Sequence, residues 1–109
     1  MNWDQYFMSM ARAAAAKSKD PSTRVGAVIA DAEQRIVSTG YNGPPRGTDD
    51  RAVTDREIKL LRTLHAEENA ILFAGRRLHG CTLYATHPPC AHCAAVIIQA
   101  GIRTVFSMP

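Results

Sequence analysis

The sequence predicts an α/β protein in which helices cover both faces of a mixed β-sheet. Two observations support this prediction. Short apolar segments of strand-like composition alternate with helical segments in the order helix, hairpin, helix, strand, helix, strand. The last three of these elements form a strand–helix–strand crossover, a connection that joins parallel strands, whereas the strands of a hairpin are antiparallel. With 109 residues, the chain is expected to form a single domain, residues 1–109.

The first half of the chain is predicted to form one helix followed by a β-hairpin. Residues 3–17 are rich in alanine, a strong helix former, and Asn2 or Asp4 can cap their N-terminus. The segments 25–30 and 35–40 are strands of the hairpin, and the polar residues 31–34 form its turn. Residues 41–50 combine glycine, proline, asparagine and aspartate, which predicts a loop.

The second half is predicted to contain helices alternating with two strands. Residues 55–75 have apolar side chains at helical spacing and form two helical pieces with a break near His65, ended by Gly75 or Gly80. Residues 81–86 are the third strand, which the prolines at 88 and 89 end. A short helix at 91–100 ends at Gly101, and residues 104–107 form the fourth strand, parallel to the third.

Composition and charge disfavour several classes of protein. No segment approaches the ~18 apolar residues of a membrane span, and the first residues lack the basic and apolar segments of a secretory signal. With only three cysteines and no export signal, a reducing cytoplasmic compartment is favoured over a disulfide framework. The net charge of +3 suits an anionic small molecule, but it is low for a nucleic-acid-binding protein.

Two short motifs contain the side chains that could bind a metal. His65-Ala66-Glu67 offers one imidazole, and Pro89-Cys90-Ala91-His92-Cys93 offers two thiolates. Three protein ligands leave one position of a tetrahedral zinc ion open for water, which is the pattern of a catalytic site. Zinc lowers the pKa of such a water to about 7. The Glu67 carboxylate is not needed as a ligand and can carry a proton. The motifs therefore predict a catalytic zinc ion held by His65, Cys90 and Cys93, with Glu67 as its proton carrier.

Each motif also has an alternative interpretation. A C-x-x-C at the start of a helix is typical of thioredoxin-like redox proteins as well as of metal sites, and H-x-E occurs by chance in many helices. The two motifs together favour zinc, because dithiol chemistry does not require His65-Ala66-Glu67 at the start of the preceding helix. His92 is expected to face outward, and Cys81 to be a buried small residue.

The remaining histidines and aromatic residues are expected to be mainly structural. His79 and His87 are predicted to lie on the surface or in loops, although His87 is close enough to the Pro-Pro-Cys turn to line a pocket. Trp3, Tyr6 and Phe7 have helical spacing and are interpreted as core or subunit-contact residues.

Two further stretches, Ser18-Lys19-Asp20-Pro21 and Gly40-Tyr41-Asn42-Gly43, accompany the metal-binding motifs. H-x-E followed by P-C-x-x-C is the signature of the zinc nucleobase deaminases in general. With the two further stretches, the chain resembles the deoxycytidylate (dCMP) deaminases of the cytidine deaminase-like superfamily. The matching stretches extend over almost the whole chain in the family's order: residues 18–23, 26–29, 40–45, 65–71, 89–94 and 97–102.

This resemblance implies a three-layer helix–sheet–helix sandwich and zinc-dependent hydrolysis of dCMP to dUMP and ammonia, a reaction that feeds thymidylate synthesis. Hydroxide adds to C4 of cytosine, while Glu67 takes a proton from the zinc-bound water and delivers it to N3 and then to the leaving amine. Asn42 would contact the nucleotide sugar, and Arg24 the phosphate, which a guanidinium can bind in bidentate fashion. The other implied substrate-binding residues are Ser22, Thr23, Ala66 and Pro89.

The resemblance also implies partners for the chain. Family members are commonly hexamers and sometimes dimers, and many are activated by dCTP and inhibited by dTTP. A homo-oligomer with Mg²⁺-nucleotide effectors is therefore expected, with the loop at 45–50 as the candidate effector site. The sequence differs from the family pattern in two respects. Residue 68 is glutamate where a smaller or apolar residue is expected. The family's C-terminal helix and fifth strand have no counterpart after residue 107, so the fourth strand is expected to leave an open sheet edge.

Two alternative functions are compatible with the same motifs. A deaminase of the superfamily could act on another nucleotide or on RNA, such as a tRNA adenosine, although the modest net charge disfavours RNA. An inactive, zinc-stabilised interaction module is also compatible, but a structural zinc ion has no use for Glu67.

Overall fold

The computed structural model describes residues 1–48 and 63–108. The predicted helical piece at 55–62 and the last residues of the predicted loop, Asp49 and Asp50, lie outside these ranges. The helices and strands, in chain order, are α1 (Trp3–Ala15), β1 (Gly26–Ala30), β2 (Ile36–Tyr41), α2 (Ala66–Ala74), β3 (Thr82–Ala85), α3 (Ala91–Gln99) and β4 (Thr104–Ser107). Apart from the helical piece outside the described ranges, the predicted elements are all present, with ends close to their predicted positions.

The four strands form one mixed sheet in the order β2-β1-β3-β4. β1 runs antiparallel to both β2 and β3, whereas β3 and β4 are parallel, with Leu83 opposite Val105. The predicted mixed sheet and parallel crossover are therefore confirmed. Within the described part of the chain, β4 pairs only with β3. All four of its residues are exposed.

The two faces of the sheet are covered by different helices. Successive side chains of a strand point to opposite faces, so Ala27 and Ile29 pack with the α2 and α3 side, whereas Val28 packs with Phe7 and Ala11 of α1. All five residues of β1 are buried, because helices lie on both sides of it. This arrangement confirms the predicted three-layer α/β/α sandwich.

The helices are short and have recognisable ends. Asn2, one of the two predicted caps, caps α1: its Oδ1 accepts the backbone N–H of Gln5, and the Gln5 side chain accepts the N–H of Asn2. Gly75 ends α2 in the left-handed conformation, with φ of 61°. None of the helices in the described ranges has the length and apolar character needed to span a membrane.

Tyr84 links β3 to α1 through a hydrogen bond that is expected to make stability depend on alkaline pH. Its hydroxyl donates to Asp4 Oδ1 at 2.6 Å. Burial, and then the Asp4 carboxylate, raise the pKa of Tyr84 above its ordinary value of 10.0. Because the folded state binds the phenolic proton more tightly than the unfolded state, this stabilisation is complete below about pH 10 and is lost as the pH rises further. The free energy of unfolding should therefore fall above about pH 10.

Tyr84→Phe tests this expectation. The variant should be less stable than the wild type by about 1 kcal/mol at pH 7, because it lacks the hydrogen bond, and its stability should fall less steeply at alkaline pH. Urea unfolding followed by circular dichroism from pH 7 to pH 11 measures both curves. Parallel curves over the whole range would show that Tyr84 does not cause the alkaline decline.

Candidate metal centre

The predicted metal ligands lie together where two helices begin. His65 is the N-cap of α2, Cys90 is the N-cap of α3, and Cys93 lies in the first turn of α3. His65 Nδ1 is 3.1 Å from Cys93 Sγ and 3.6 Å from Cys90 Sγ. A tetrahedral zinc ion with ordinary Zn–N and Zn–S bond lengths holds such nitrogen and sulfur atoms about 3.6 Å apart. The three atoms all lie within 4.8 Å of one another, so this donor set fits a zinc ion.

The donor set favours metal binding over redox chemistry. The partial positive charge at a helix N-terminus stabilises thiolates, and the Cys93 N–H lies 3.4 Å from Cys90 Sγ. Burial, and next the charge of Glu67, nevertheless raise the pKa of the Cys93 thiol. A divalent cation ionises a ligating thiol directly, even one whose pKa is raised. His65 adds a third donor to the two thiols, which a redox dithiol does not require, so the site suits metal binding better than thioredoxin-like chemistry.

Glu67 lies beside these ligands with its carboxylate available to a ligand. It is the second residue of α2 and is only 4% exposed, and it lines a cavity of about 260 Å³ together with His65 and Cys90. Within residues 1–48 and 63–108, no hydrogen bond to its carboxylate is formed. No fully buried side-chain oxygen in the described residues lacks a partner, so the Glu67 carboxylate is accessible from the cavity, where a ligand can bind it.

Asn42 forms another part of the cavity wall and also holds the neighbouring loop. Its Oδ1 accepts the N–H of Val25 at 2.9 Å, and its Nδ2 donates to the carbonyl oxygen of Thr23 at 2.9 Å. An asparagine amide has two N–H donors and an oxygen with two lone pairs. Within residues 1–48 and 63–108, these two bonds leave one donor and one lone pair of the Asn42 amide for a ligand in the cavity.

The other predicted substrate-binding residues lie around the cavity rather than in its wall. Ser22, Thr23 and Arg24 are exposed in the loop before β1, where Asp20 Oδ1 accepts the backbone N–H groups of Ser22 and Thr23. Ala66 is the first residue of α2 and is fully buried in the core. Pro89 is partly buried and immediately precedes the ligand Cys90.

Sequence reasoning missed several residues of the cavity wall. The residues it did not assign to the site are Asp20, Val25, Thr63 and Pro88; His87, whose position had suggested a pocket, also lines the cavity. The imidazole Nδ1 of His87 lies 3.0 Å from Thr86 Oγ1. Asp20 lies within a stretch that resembles the dCMP deaminases, and Pro88 immediately precedes another. Only the folded chain shows which side chains of these stretches face the cavity.

The unexpected glutamate at position 68 has a structural explanation. Its Oε1 accepts the backbone N–H of His65 at 3.0 Å, which forms a capping box at the start of α2. Its Oε2 lies 3.4 Å from Nε2 of His92, which is exposed on α3. Glu68 therefore caps the helix that begins with a metal ligand, and His92 contacts this carboxylate.

Comparison with known proteins identifies the family. Residues 1–108 match the model of the cytidine and deoxycytidylate deaminase zinc-binding region. The chain belongs to the cytidine and deoxycytidylate deaminase family. Its histidine–cysteine–cysteine group lies within this zinc-binding region, and its mixed sheet with helices on both faces is the cytidine deaminase-like fold.

Individual relatives include both bacterial and eukaryotic proteins. The chain is 59% identical over 105 residues to the uncharacterized deaminase of the luxG 3′ region of Aliivibrio fischeri, covering 95% of this chain and 71% of that protein. It is 40% identical over 116 residues to human deoxycytidylate deaminase, covering 99% of this chain and 65% of the human protein. The chain thus spans just under two-thirds of the human relative's length.

A solved structure of a dCMP deaminase has the same fold. The apo dCMP deaminase of the cyanophage S-TIM5 superimposes with a TM-score of 0.83 at 29% identity, covering 95% of this chain and 80% of the cyanophage chain. The structure of that protein in complex with dCMP and dUMP gives a TM-score of 0.77 at 28% identity and covers 94% of this chain and 78% of the cyanophage chain.

Proposed function

We propose that the protein is a zinc-dependent hydrolase that converts dCMP and water to dUMP and ammonia. The observation that carries this proposal is the position of the Glu67 carboxylate, which lies without a hydrogen-bond partner among the described residues in a cavity next to His65, Cys90 and Cys93. Human deoxycytidylate deaminase and the cyanophage dCMP deaminase support dCMP as the substrate.

The three proposed ligands and Glu67 divide the chemistry between them. His65 Nδ1 and the two thiolates hold the zinc ion, which, when bound, supplies a Lewis acid that lowers the pKa of a water to about 7. Replacing the amino group at C4 by oxygen requires two protons of water to move, one to N3 and one to the leaving amine. Glu67 accepts these protons and delivers them, because its carboxylate lines the cavity together with the ligands His65 and Cys90 and is not itself needed as a ligand.

The cavity is suited to the base, and its surroundings to the rest of the nucleotide. An apolar cavity of about 150 Å³ can hold benzene, so a cavity of about 260 Å³ has room for a pyrimidine ring. We assign the sugar contact to the remaining donor and lone pair of Asn42. Arg24, exposed in the adjacent loop with Ser22 and Thr23, is the proposed phosphate contact. Pro89 adjoins the ligand Cys90 and is proposed to contact the base. The base contact of Ala66 stays a prediction from the resemblance, because Ala66 has no exposed surface.

A substrate panel tests the proposal directly. Zinc-loaded protein is incubated separately with dCMP, dCTP, deoxycytidine and an adenosine-containing RNA, and deamination is followed by ultraviolet absorbance. We expect dCMP to be converted, activity to be lost when a chelator removes zinc, and activity to return when zinc is added. Metal analysis should find one zinc ion per chain.

The other outcomes of the same experiment correspond to the alternatives. Turnover of RNA or of another nucleotide in place of dCMP would overturn the substrate assignment. Bound zinc with no turnover of any substrate would favour the inactive interaction module. A metal-free protein with a reversible Cys90–Cys93 disulfide would favour redox chemistry.

Several broader features are proposed on the family resemblance. These are a single catalytic domain over residues 1–109, assembly as a homo-oligomer (hexamer or dimer), and a cytoplasmic location. Control by dCTP, dTTP and Mg²⁺-nucleotide complexes also stays a prediction. Its candidate site, the loop at 45–50, lies partly outside the described residues.

A further inference from the structure

We infer that Asn69 is a positioning residue, which holds the Asn42 segment of the nucleotide pocket in register with the helix that carries His65 and Glu67. This inference rests on the proposed function, since it concerns how that pocket is assembled. Asn69 lies on α2 and is only 9% exposed. It does not line the cavity of the candidate site.

The Asn69 side chain connects α2 to the end of β2. Its Nδ2 donates to the carbonyl oxygen of Tyr41 at 2.8 Å. Asn69 follows Glu67 by two residues, and its own backbone N–H donates to the carbonyl oxygen of His65 at 3.0 Å. The side chain thus projects from the first turns of the helix that positions a proposed ligand and the proton carrier, and it contacts the residue immediately before Asn42.

Asn42 is in turn held from several directions. The Ser18 hydroxyl, which is buried, donates to the carbonyl oxygen of Asn42 at 2.9 Å. On the other side of Asn42, Gly43 and Leu64 exchange two backbone hydrogen bonds, of 3.0 and 2.8 Å. Asn42 therefore lies between two residues that are both tied to the chain around His65, one through Asn69 and the other through Leu64.

The same contacts transmit the position of α2 to the loop before β1. Asn42 binds the backbone of Thr23 and Val25 through its side-chain amide, so a displacement of Tyr41 and Asn42 would also displace this loop. Losing the Asn69 hydrogen bond should loosen these pocket residues. The ligand cluster should stay in place, because His65 is held separately by its capping box with Glu68.

Ser38 provides a matched control. Its hydroxyl donates to the carbonyl oxygen of Ala70 at 2.6 Å, which is also a side-chain hydrogen bond between β2 and α2. Ser38 is three residues before Tyr41 and does not line the cavity. Ser38→Ala therefore removes a comparable bond between the same two elements without freeing the Asn42 segment.

The test compares Asn69→Ala with Ser38→Ala. We expect Asn69→Ala to raise KM for dCMP and to weaken binding of dUMP by about fivefold each, the effect of one lost hydrogen bond, while kcat stays within about twofold. Without nucleotide, the Val25 amide, which donates to Asn42, should exchange with solvent about fivefold faster. Ser38→Ala should change none of these quantities by more than about twofold, and both variants should retain one zinc ion.

Asn69→Leu gives a second variant of similar shape that lacks the Nδ2 donor and adds no charge, and it should show the same changes in KM and Val25 exchange if Asn69→Ala folds poorly. Equal effects of Ser38→Ala and Asn69→Ala, or unchanged KM and Val25 exchange in both Asn69 variants, would overturn the inference. A fall in kcat with loss of zinc would also overturn it, because Asn69 would then support the metal centre.

If the wild type neither binds dUMP nor converts dCMP, the proposed function fails, and Val25 exchange still decides whether Asn69 holds the loop.

Discussion

Replacing Glu67 by glutamine is expected to reduce kcat for dCMP by on the order of 10³-fold or more, which corresponds to about 4 kcal/mol of transition-state stabilisation. Glutamine has nearly the same shape, but its amide can neither accept a proton from water nor deliver one to N3 and the leaving amine. The carboxylate is not among the three ligand atoms. The variant should therefore keep one zinc ion per chain and an unchanged circular dichroism spectrum.

Glu68→Gln is the control for this substitution. It makes the same chemical change at the next residue, and glutamine can also complete a capping box with the His65 N–H. Its kcat should stay within about threefold of the wild type. Ultraviolet assays with saturating dCMP, together with metal analysis, distinguish the two variants. Turnover by Glu67→Gln within tenfold of the wild type, or loss of its zinc, would contradict the role assigned to Glu67.

Gly40→Ala is expected to destabilise the fold strongly. A Cβ at this position would collide with the carbonyl oxygen of Ala66 and would lie 2.5 Å from the backbone nitrogen of Ala70. Both atoms belong to the backbone of α2, so the helix itself must move away from β2. Overpacking of this kind costs about 1–3 kcal/mol and sometimes more, and we expect at least about 3 kcal/mol here because no flexible side chain can yield.

This displacement should also disturb the metal centre, because α2 carries His65 whereas α3 carries both cysteines. We expect Tm to fall by about 12 °C or more and zinc to be lost at lower chelator concentrations than from the wild type. Gly43→Ala is the control, since a Cβ there meets no atom of the described residues within 4 Å. Its Tm should change little. Equal Tm values for the two variants would show that the close approach of α2 to β2 is not required.

The order and type of the described elements could be predicted from the sequence because each depends on local information. The signals that indicate these elements each involve only neighbouring residues. They are the alanine-rich composition of residues 3–17, the polar turn between two apolar segments, and the glycines that end helices. The parallel pairing of β3 with β4 followed from the crossover between them. The position of β1 in the middle of the sheet, between β2 and β3, depends on packing between distant segments and was not predicted.

The candidate site was also predictable only in part. The ligands and Glu67 were predicted because their chemistry requires particular residue types in short motifs, and these motifs lie at the starts of α2 and α3. Glu68 was unexplained in the sequence, since its role depends on the backbone N–H that it caps. The hydrogen bonds of Asn42 to Thr23 and Val25 join residues 17 or more positions apart, and no local pattern indicates them.

By itself, the sequence determined the α/β class, the metal-binding residue types and the carboxylate beside them, because helix ends, strand alternation and ligand spacing are properties of neighbouring residues. Only the tertiary structure decided that His65 comes within 3.6 Å of both thiol sulfurs, which side chains line the cavity, and that Asn69 connects α2 to the residue before Asn42. The physical reason is that these contacts exist only after the sheet has brought α2 and α3 together on one face, where close packing sets which side chains meet.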